Sequence, residues 1–519
     1  MGQVSTIDLA VIIVYVLGVV GLGCWFMRKG KTTEDFFLGG RRLPWWAVGL
    51  SIFGTQLSAI TFMAIPARAF KTDWTWLVGN FTILVMAPVI AWVFLPFFRR
   101  VPITSAYEYL ESRFHPRMRD YGGVAFMLMQ LGRMGVVLYL PALALAEVTG
   151  VSVVLMIVVV GLLIIVYTVM GGIEAVIWTD VVQVVILMGG AVFTVVLIAM
   201  NIEGGLGKII EIGSAENKFR LANLSASPVV DALWLVILGN LFTQLIPYGS
   251  DQTVIQRYLT TRTEKDARRS ILLNGLMSPF AGLLFFFLGT ALFAYYKVHG
   301  GLPADLNMDR VYPFFIMSQM PVGVAGLVIA AVFAASMSSL DSSLNSVATV
   351  CVNDFYRRYI RPDAPDGRCL KVARTLTVVW GVAAIAVAVL IAKWSQAQGA
   401  WHMFAALLGL LGGGLAGVFV LGIFVPRATW QGAVAGALYS AGALAIAKYL
   451  PLYDITAGLV RDGRTLHVFT YPIIGIVTCV LFGTAFSLLF KPRPSDETAP
   501  FTWRGIRGLS RMEPQNKEE

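Results

Sequence analysis

Asp341 stands in the middle of an apolar stretch, Val322 to Tyr356, within a ladder of hydroxyls: VGVAGLVIAAVFAASMSSLDSSLNSVATVCVNDFY. On a helix Ala335, Ser338, Ser339 and Ser342 fall at i, i+3, i+4 and i+7, so one stripe presents a backbone carbonyl and hydroxyl oxygens together. An oxygen-only set suits a hard cation, and one with few full charges suits a monovalent cation. The same ladder also fits a small-residue surface that lets helices approach closely. A second charge, Arg133, lies far from either end of GGVAFMLMQLGRMGVVLYLPALAL. A charged side chain at bilayer depth costs at least about 2.5–3.5 kcal/mol and normally faces a protein interior. The planar guanidinium fork suits two-point capture of a carboxylate. Pairing with a carbonyl or another helix is the structural alternative.

Such residues need a scaffold that carries polar groups through apolar surroundings. Of the 519 residues 57% are hydrophobic and only 13% charged. A soluble chain carries about 25% charged residues, so an all-α membrane protein is predicted. Thirteen apolar runs reach spanning length, at roughly 6–27, 45–66, 74–98, 121–147, 152–170, 175–200, 229–250, 270–296, 322–355, 372–392, 399–424, 430–449 and 468–490. With the N-terminus outside, segments 28–44, 99–120, 171–174, 251–269, 356–374, 425–429 and 491–519 face the cytoplasm. These hold 28 of the 40 Lys and Arg, against 10 on the other side, with Arg133 and Lys448 within spans. The positive-inside rule then predicts a multi-pass protein of the cell (inner) membrane, N-terminus outside and C-terminus cytoplasmic. It also accounts for the net charge of +10 without nucleic acid. The first run has no basic segment before it and no small-residue cleavage motif after it, so it reads as a retained helix. Cys24, Cys351, Cys369 and Cys479 show no paired spacing, and four histidines are too scattered for metal chemistry. The tail after Phe490 has too few apolar residues to fold alone.

Two runs are interrupted. The second carries Gly54-Thr55-Gln56-Leu57-Ser58, and the seventh carries Gly239-Asn240, Thr243-Gln244 and Pro247-Tyr248-Gly249. Gly and polar residues at membrane depth allow a helix to unwind, and the exposed carbonyls must then line a cavity. Interrupted segments in corresponding positions of two halves point to a secondary transporter's binding site, although close helix packing also uses glycine. The implied division is an N-terminal extra helix and cytoplasmic loop (1–44), a first repeat (45–200), an external loop (201–228) and a second repeat (229–424). Two C-terminal helices (425–490) and a cytoplasmic tail (491–519) follow.

Along most of its length the chain resembles the sodium/solute symporter family. The likeness rests on GGRRLPWW (39–46), LSAITFMAIPARAF (57–70), VMGGIEAVIWTDVVQ (169–183), DQTVIQRYL (251–259), AASMSSLDSSLNSVATVCVNDFYRR (334–358) and GGLAGVFVLGIFVPRA (413–428). It implies a leucine-transporter-type core of two inverted five-helix repeats and sodium-driven uptake of a small organic solute by alternating access. A first sodium would be held by carbonyls of Gly54, Leu57 and Ala335 and hydroxyls of Ser338 and Ser339, in agreement with the stripe. A second sodium would lie beside Asp180, with Ser338, Asp341 and Ser342. Asp341 departs from the small or hydroxyl residue that many relatives carry. Two carboxylates there would tighten cation binding, or one would be protonated by mutual repulsion. The alternatives are a capping role for Asp180 and hydrogen bonds to hydroxyls for Asp341.

The substrate would be contacted by Gln56, Ser58, Thr61, Asn80, Arg133 and Gln244, with Trp76 as an aromatic wall. A sialic-acid-carrying branch of the family looks similar around Arg133 and Leu-Ser-Ala-Ile-Thr. An acidic sugar such as sialic acid is therefore expected, with a neutral monosaccharide or a monocarboxylate as the alternative. A channel would need a pore-lining repeat, an enzyme a catalytic constellation and a sensor an appended domain; none is visible in the sequence. The chain is expected to act as a monomer, not as an enzyme.

Overall fold

Within the described residues each apolar run forms helix, so the informative positions are those where a helix stops. The computed structural model describes residues 5–27, 32–100, 103–303, 306, 310–394, 408–449 and 466–505. Helix α1 (Thr6–Met27) precedes a short helix, α2 (Thr33–Leu38), whose cap Thr32 accepts the Asp35 amide. Helices α3 (Trp45–Gln56) and α4 (Ala59–Lys71) are two halves of one run, bent by 56°. After α5 (Leu77–Arg99) and the short α6 (Tyr107–Arg113) comes α7 (Pro116–Thr149). Helices α8 (Val153–Val169) and α9 (Gly171–Met200) run nearly end to end. Helix α10 (Gly205–Ala215) lies in the following connection. A second pair bent by 56° is α11 (Leu233–Gly249) and α12 (Gln252–Thr260). The remaining helices are α13 (Glu264–Val298), α14 (Val311–Gln319), α15 (Val324–Ile360), α16 (Asp366–Trp394), α17 (Gly413–Phe424), α18 (Trp430–Tyr449) and α19 (Thr470–Ser487).

Length and composition sort them. Among the described residues eight helices can cross a membrane, or up to ten if each bent pair is one span; α8 and α17 are shorter apolar helices. The thirteen runs are therefore unequal. Burial separates the centre from the periphery: 89% of the apolar window of α15 is buried, against 17% for α1. The hydroxyl ladder thus faces protein along its length, as polar groups at membrane depth require.

Three segments read as connections or tail, and one interrupted span, are built otherwise. The 251–269 connection opens with α12, whose nine residues are all buried. Its polar composition suggests solvent exposure, but its polar groups find partners inside the protein. The seventh run stays helical through Gly239 and Pro247, and its break falls at Ser250–Asp251, so the span continues into α12. The 201–228 connection contains α10. The described part of the tail packs back on the bundle: the Tyr109 hydroxyl donates to the Phe501 carbonyl (2.9 Å), and Arg493 to the Phe114 carbonyl (3.1 Å).

The junction of α8 and α9 depends on one glycine. Gly172 has φ 60° and ψ −169°, a region open essentially to glycine alone. A Cβ there would lie 2.9 Å from the Phe36 carbonyl oxygen, whereas one at Gly189, on the same helix, would meet nothing within 4 Å. Gly172→Ala is expected to lose about 1–3 kcal/mol of stability, seen as a lower midpoint in thermal unfolding in detergent. Gly189→Ala should leave the midpoint unchanged; equal midpoints for both variants would contradict this account.

Candidate substrate and cation site

The site is built around the end of α3. The helix stops at Gln56, so the N–H that would normally bond the Thr55 carbonyl, that of Ala59, lies beyond the break. Two side chains donate to that carbonyl instead: Arg133 Nη2 from α7 at 2.8 Å and Ser339 Oγ from α15 at 3.2 Å. Gly54 lets α9 and α15 come close, since a Cβ there would lie 2.7 Å from Val184 and 3.3 Å from Ser338 Oγ. Gly54, Leu57, Ala335, Ser338 and Ser339 are all buried. The five residues expected to hold the first sodium thus lie at the α3–α4 break and on the α15 stripe, which meet where Gly54 faces Ser338 and Ser339 reaches the Thr55 carbonyl.

Beside it lies an ion pair that the sequence reading lacked. Arg257 of α12 meets Asp180 of α9 at 3.0 Å, both side chains wholly inaccessible to solvent. Asp180 also accepts from the hydroxyls of Ser51 and Ser338, and Arg257 donates to Ser51 (Nε, 2.7 Å) and Ser342. Asp180 thus keeps its expected partner Ser338, but its charge is balanced by an arginine counted as a loop residue. Asp341 is held differently. The Tyr167 hydroxyl donates to it at 2.9 Å, and Ser342 Oγ lies 3.3 Å away. No ion pair to Asp341 is present among the described residues.

Arg133 spans the two breaks. Besides the Thr55 carbonyl it faces Asp251, 4.0 Å from Nη1, at the start of α12. Asp251 caps α12 through the Thr253 amide (2.8 Å) and accepts from Gln130 Nε2 (2.8 Å), whose Oε1 accepts from Ser343. Arg133 Nε and Gln56 Nε2 are buried donors without a partner among the described residues. Ser58 is buried at the break and Thr61 half-buried on the first turn of α4. The Asn80 amide packs on Gly282 of α13, where a Cβ would sit 2.3 Å from its nitrogen. Gln244 is half-buried on α11.

Trp76 does not stand as a bare wall. Its Nε1 donates to Asp231, and the Arg68 guanidinium lies 4.2 Å above its ring. Asp231 pairs with Arg68 and with His467 Nε2 (2.8 Å), which joins α4, the entry to α11 and the entry to α19. Burial favours the neutral acid, but hydrogen bonds from His467 and Trp76 and the Arg68 charge outweigh it and hold Asp231 down at about 2. Its stabilising contribution is therefore complete above the ordinary carboxylate range and is lost only as pH falls towards that value.

Residues 36–440 match the sodium:solute symporter family. The chain belongs to that family. The symporter is 38% identical, over 94% of its length and 96% of the relative's, to the sodium/sialic acid symporter SiaT of Proteus mirabilis. It is likewise 38% identical to the sodium/sialic acid symporter NanT of Aliivibrio fischeri, over 94% of each chain. A solved, substrate-bound, outward-open state of a Na+-coupled sialic acid symporter, which reveals a novel Na+ site, superposes with a TM-score of 0.87 at 38% identity. That likeness covers 94% of this chain and 98% of the other. The fold is the leucine-transporter type with two inverted repeats, and sodium is the coupled ion.

The buried pair makes a separable prediction for the symporter. Removing one partner of a buried ion pair typically costs 3–5 kcal/mol, because the other charge is left uncompensated. Asp180→Asn should therefore lower thermal stability sharply, and Arg257→Gln likewise. The double variant should recover most of the loss, as measured by unfolding midpoints in a double-mutant cycle. Additive losses would mean the two groups do not depend on each other.

Proposed function

We propose that this symporter carries sialic acid into the cell, with Arg133 holding the substrate carboxylate. The observation that carries the reading is the buried guanidinium between the two helix breaks, with Nε unpartnered and Gln56 Nε2 likewise. A buried donor without a partner costs about 1–3 kcal/mol, which a carboxylate and sugar hydroxyls would offset. The two relatives named for sialic acid support this class over a neutral sugar or monocarboxylate. Ser58, Thr61, Asn80 and Gln244 complete the proposed pocket, with Trp76 above it in the Arg68–Asp231–His467 cluster.

The first sodium is proposed to sit among the carbonyls of Gly54, Leu57 and Ala335 and the hydroxyls of Ser338 and Ser339. Coupling to substrate then has a short route, because Arg133 and Ser339 donate to the same Thr55 carbonyl. A second sodium is proposed beside Asp341, Ser342 and Ser338, with Asp180 at its edge. Asp341 lacks the counter-charge that Arg257 gives Asp180, so it is the carboxylate a cation would stabilise more. Energetics favour two ions. A charge crossing 100 mV gains about 2.3 kcal/mol, and a tenfold sodium gradient adds about 1.4 kcal/mol. One sodium with an anionic substrate forfeits the voltage contribution, and a second restores it. The proposed topology has the N-terminus outside, the C-terminus in the cytoplasm and repeats over 45–200 and 229–424.

Two tests separate the ion sites from the substrate clamp. Ser338→Ala and Ser339→Ala should raise the sodium concentration for half-maximal uptake severalfold, and Asp341→Asn should reduce the sodium Hill coefficient to one. Unchanged sodium dependence in all three variants would remove both assignments. For Arg133, radiolabelled sialic acid binding should weaken in Arg133→Lys, because the fork is lost although the charge remains. It should weaken more in Arg133→Ala, by roughly 2–5 kcal/mol. An analogue with an amide in place of the carboxylate should bind the parent poorly; equal binding of acid and amide would shift the substrate to a neutral sugar.

A further inference from the structure

At the end of the bundle to which the basic count assigns the cytoplasm lies a cavity of about 790 Å³. It opens between the α6–α7 turn, the α17–α18 turn and Lys491–Pro494, which follow α19. Its charges are unbalanced. Arg113 is committed to the carbonyls of Gly422 (2.9 Å), Val425 (2.8 Å), Pro426 (3.1 Å) and Ala428 (3.3 Å), which fixes the wall but leaves its charge without a carboxylate. Arg493 donates to the Ser112 and Phe114 carbonyls and reaches Glu497 only at 3.7 Å, both side chains about half exposed. A pair so exposed contributes little. Lys491 is exposed, and its ammonium meets no partner among the described residues. The cavity's carboxylate, Glu111, is already neutralised by Arg119 (2.8 Å) and Arg358 (3.3 Å). His115 caps α7, accepting the Arg117 amide at Nδ1, and its ring stacks on Trp430 at 5.1 Å.

The apolar surface beside this basic concavity identifies its occupant. Leu488, Leu489 and Phe490, immediately before Lys491, are 59%, 74% and 39% exposed. In a membrane protein such residues face acyl chains, and the basic groups that follow stand at headgroup level. Basic pockets between membrane helices on the cytoplasmic side recognise anionic lipid headgroups. We propose that this cavity binds the phosphate headgroup of an anionic phospholipid, with Lys491 and Arg493 on the phosphate, Trp430 at the interface and acyl chains along Leu488–Phe490. The shared chemistry is a phosphate oxyanion, and free phosphate is the competing source.

The experiment uses the full chain in detergent, titrated with phosphatidylglycerol, phosphatidylcholine or inorganic phosphate and read by native mass spectrometry. Phosphatidylglycerol should bind in preference to phosphatidylcholine. Lys491→Ala should weaken that preference by roughly fivefold, the scale for one basic residue near an anionic surface. Lys491→Ala with Arg493→Ala should weaken it by roughly twenty-five-fold on the same scale, and Lys491→Arg should retain it. The Lys491 ammonium has no polar partner among the described residues, so its variant separates loss of binding from loss of folding, and sodium-dependent uptake should show the same sodium affinity. Equal binding of the two lipids, an unaltered Lys491→Ala variant, or displacement of the lipid by inorganic phosphate at comparable concentration would overturn the proposal.

Discussion

A helix that stops inside a membrane leaves backbone groups that water cannot reach, and everything near the site answers to that constraint. Where α3 ends, the Thr55 carbonyl has lost its helical partner and is taken up by Arg133 and Ser339. Where α11 ends, Asp251 caps the next half-helix and, with Gln130, continues the network to Ser343 of α15. Neither break is stable alone in hydrocarbon. Each is tolerated because α7 and α15 bring side chains to it.

The same economy governs charge. Arg257 and Asp180 are fully buried, and such a pair is a weak source of stability but a strong constraint on geometry. It ties α12 to α9, and through Ser51, Ser338 and Ser342 it also touches α3 and α15. Asp341 lacks such a counter-charge and has the Tyr167 hydroxyl instead. The contrast separates two carboxylates that look alike in the sequence: one belongs to a closed ion pair, and the other is held by hydroxyls, with no ion pair among the described residues.

A second polar cluster stands at the opposite end from the basic cavity. Arg68, Trp76, Asp231 and His467 connect the far half of the first broken span to the start of the second. Because Arg68 belongs to α4, any tilt of that half-helix must move or break its pair with Asp231.

Composition and periodicity by themselves determined that the chain is an all-helical membrane protein, that α15 carries a hydroxyl stripe on one face, and that two spans are interrupted. Those features follow from local rules: 3.6 residues per turn, the cost of polar groups in lipid, and the conformational latitude of glycine. The motifs also gave the family. What the sequence could not convey was which polar segments lie outside the membrane. The stretch DQTVIQRYL reads as a solvated loop because its polar residues look exposed in one dimension, yet all nine residues of α12 are buried. Arg257 finds Asp180 across 77 positions of sequence, and Asp251 faces Arg133 across 118. Pairing between distant charges has no periodicity to betray it. Only the packing of α7, α9, α12 and α15 decided which charges neutralise each other.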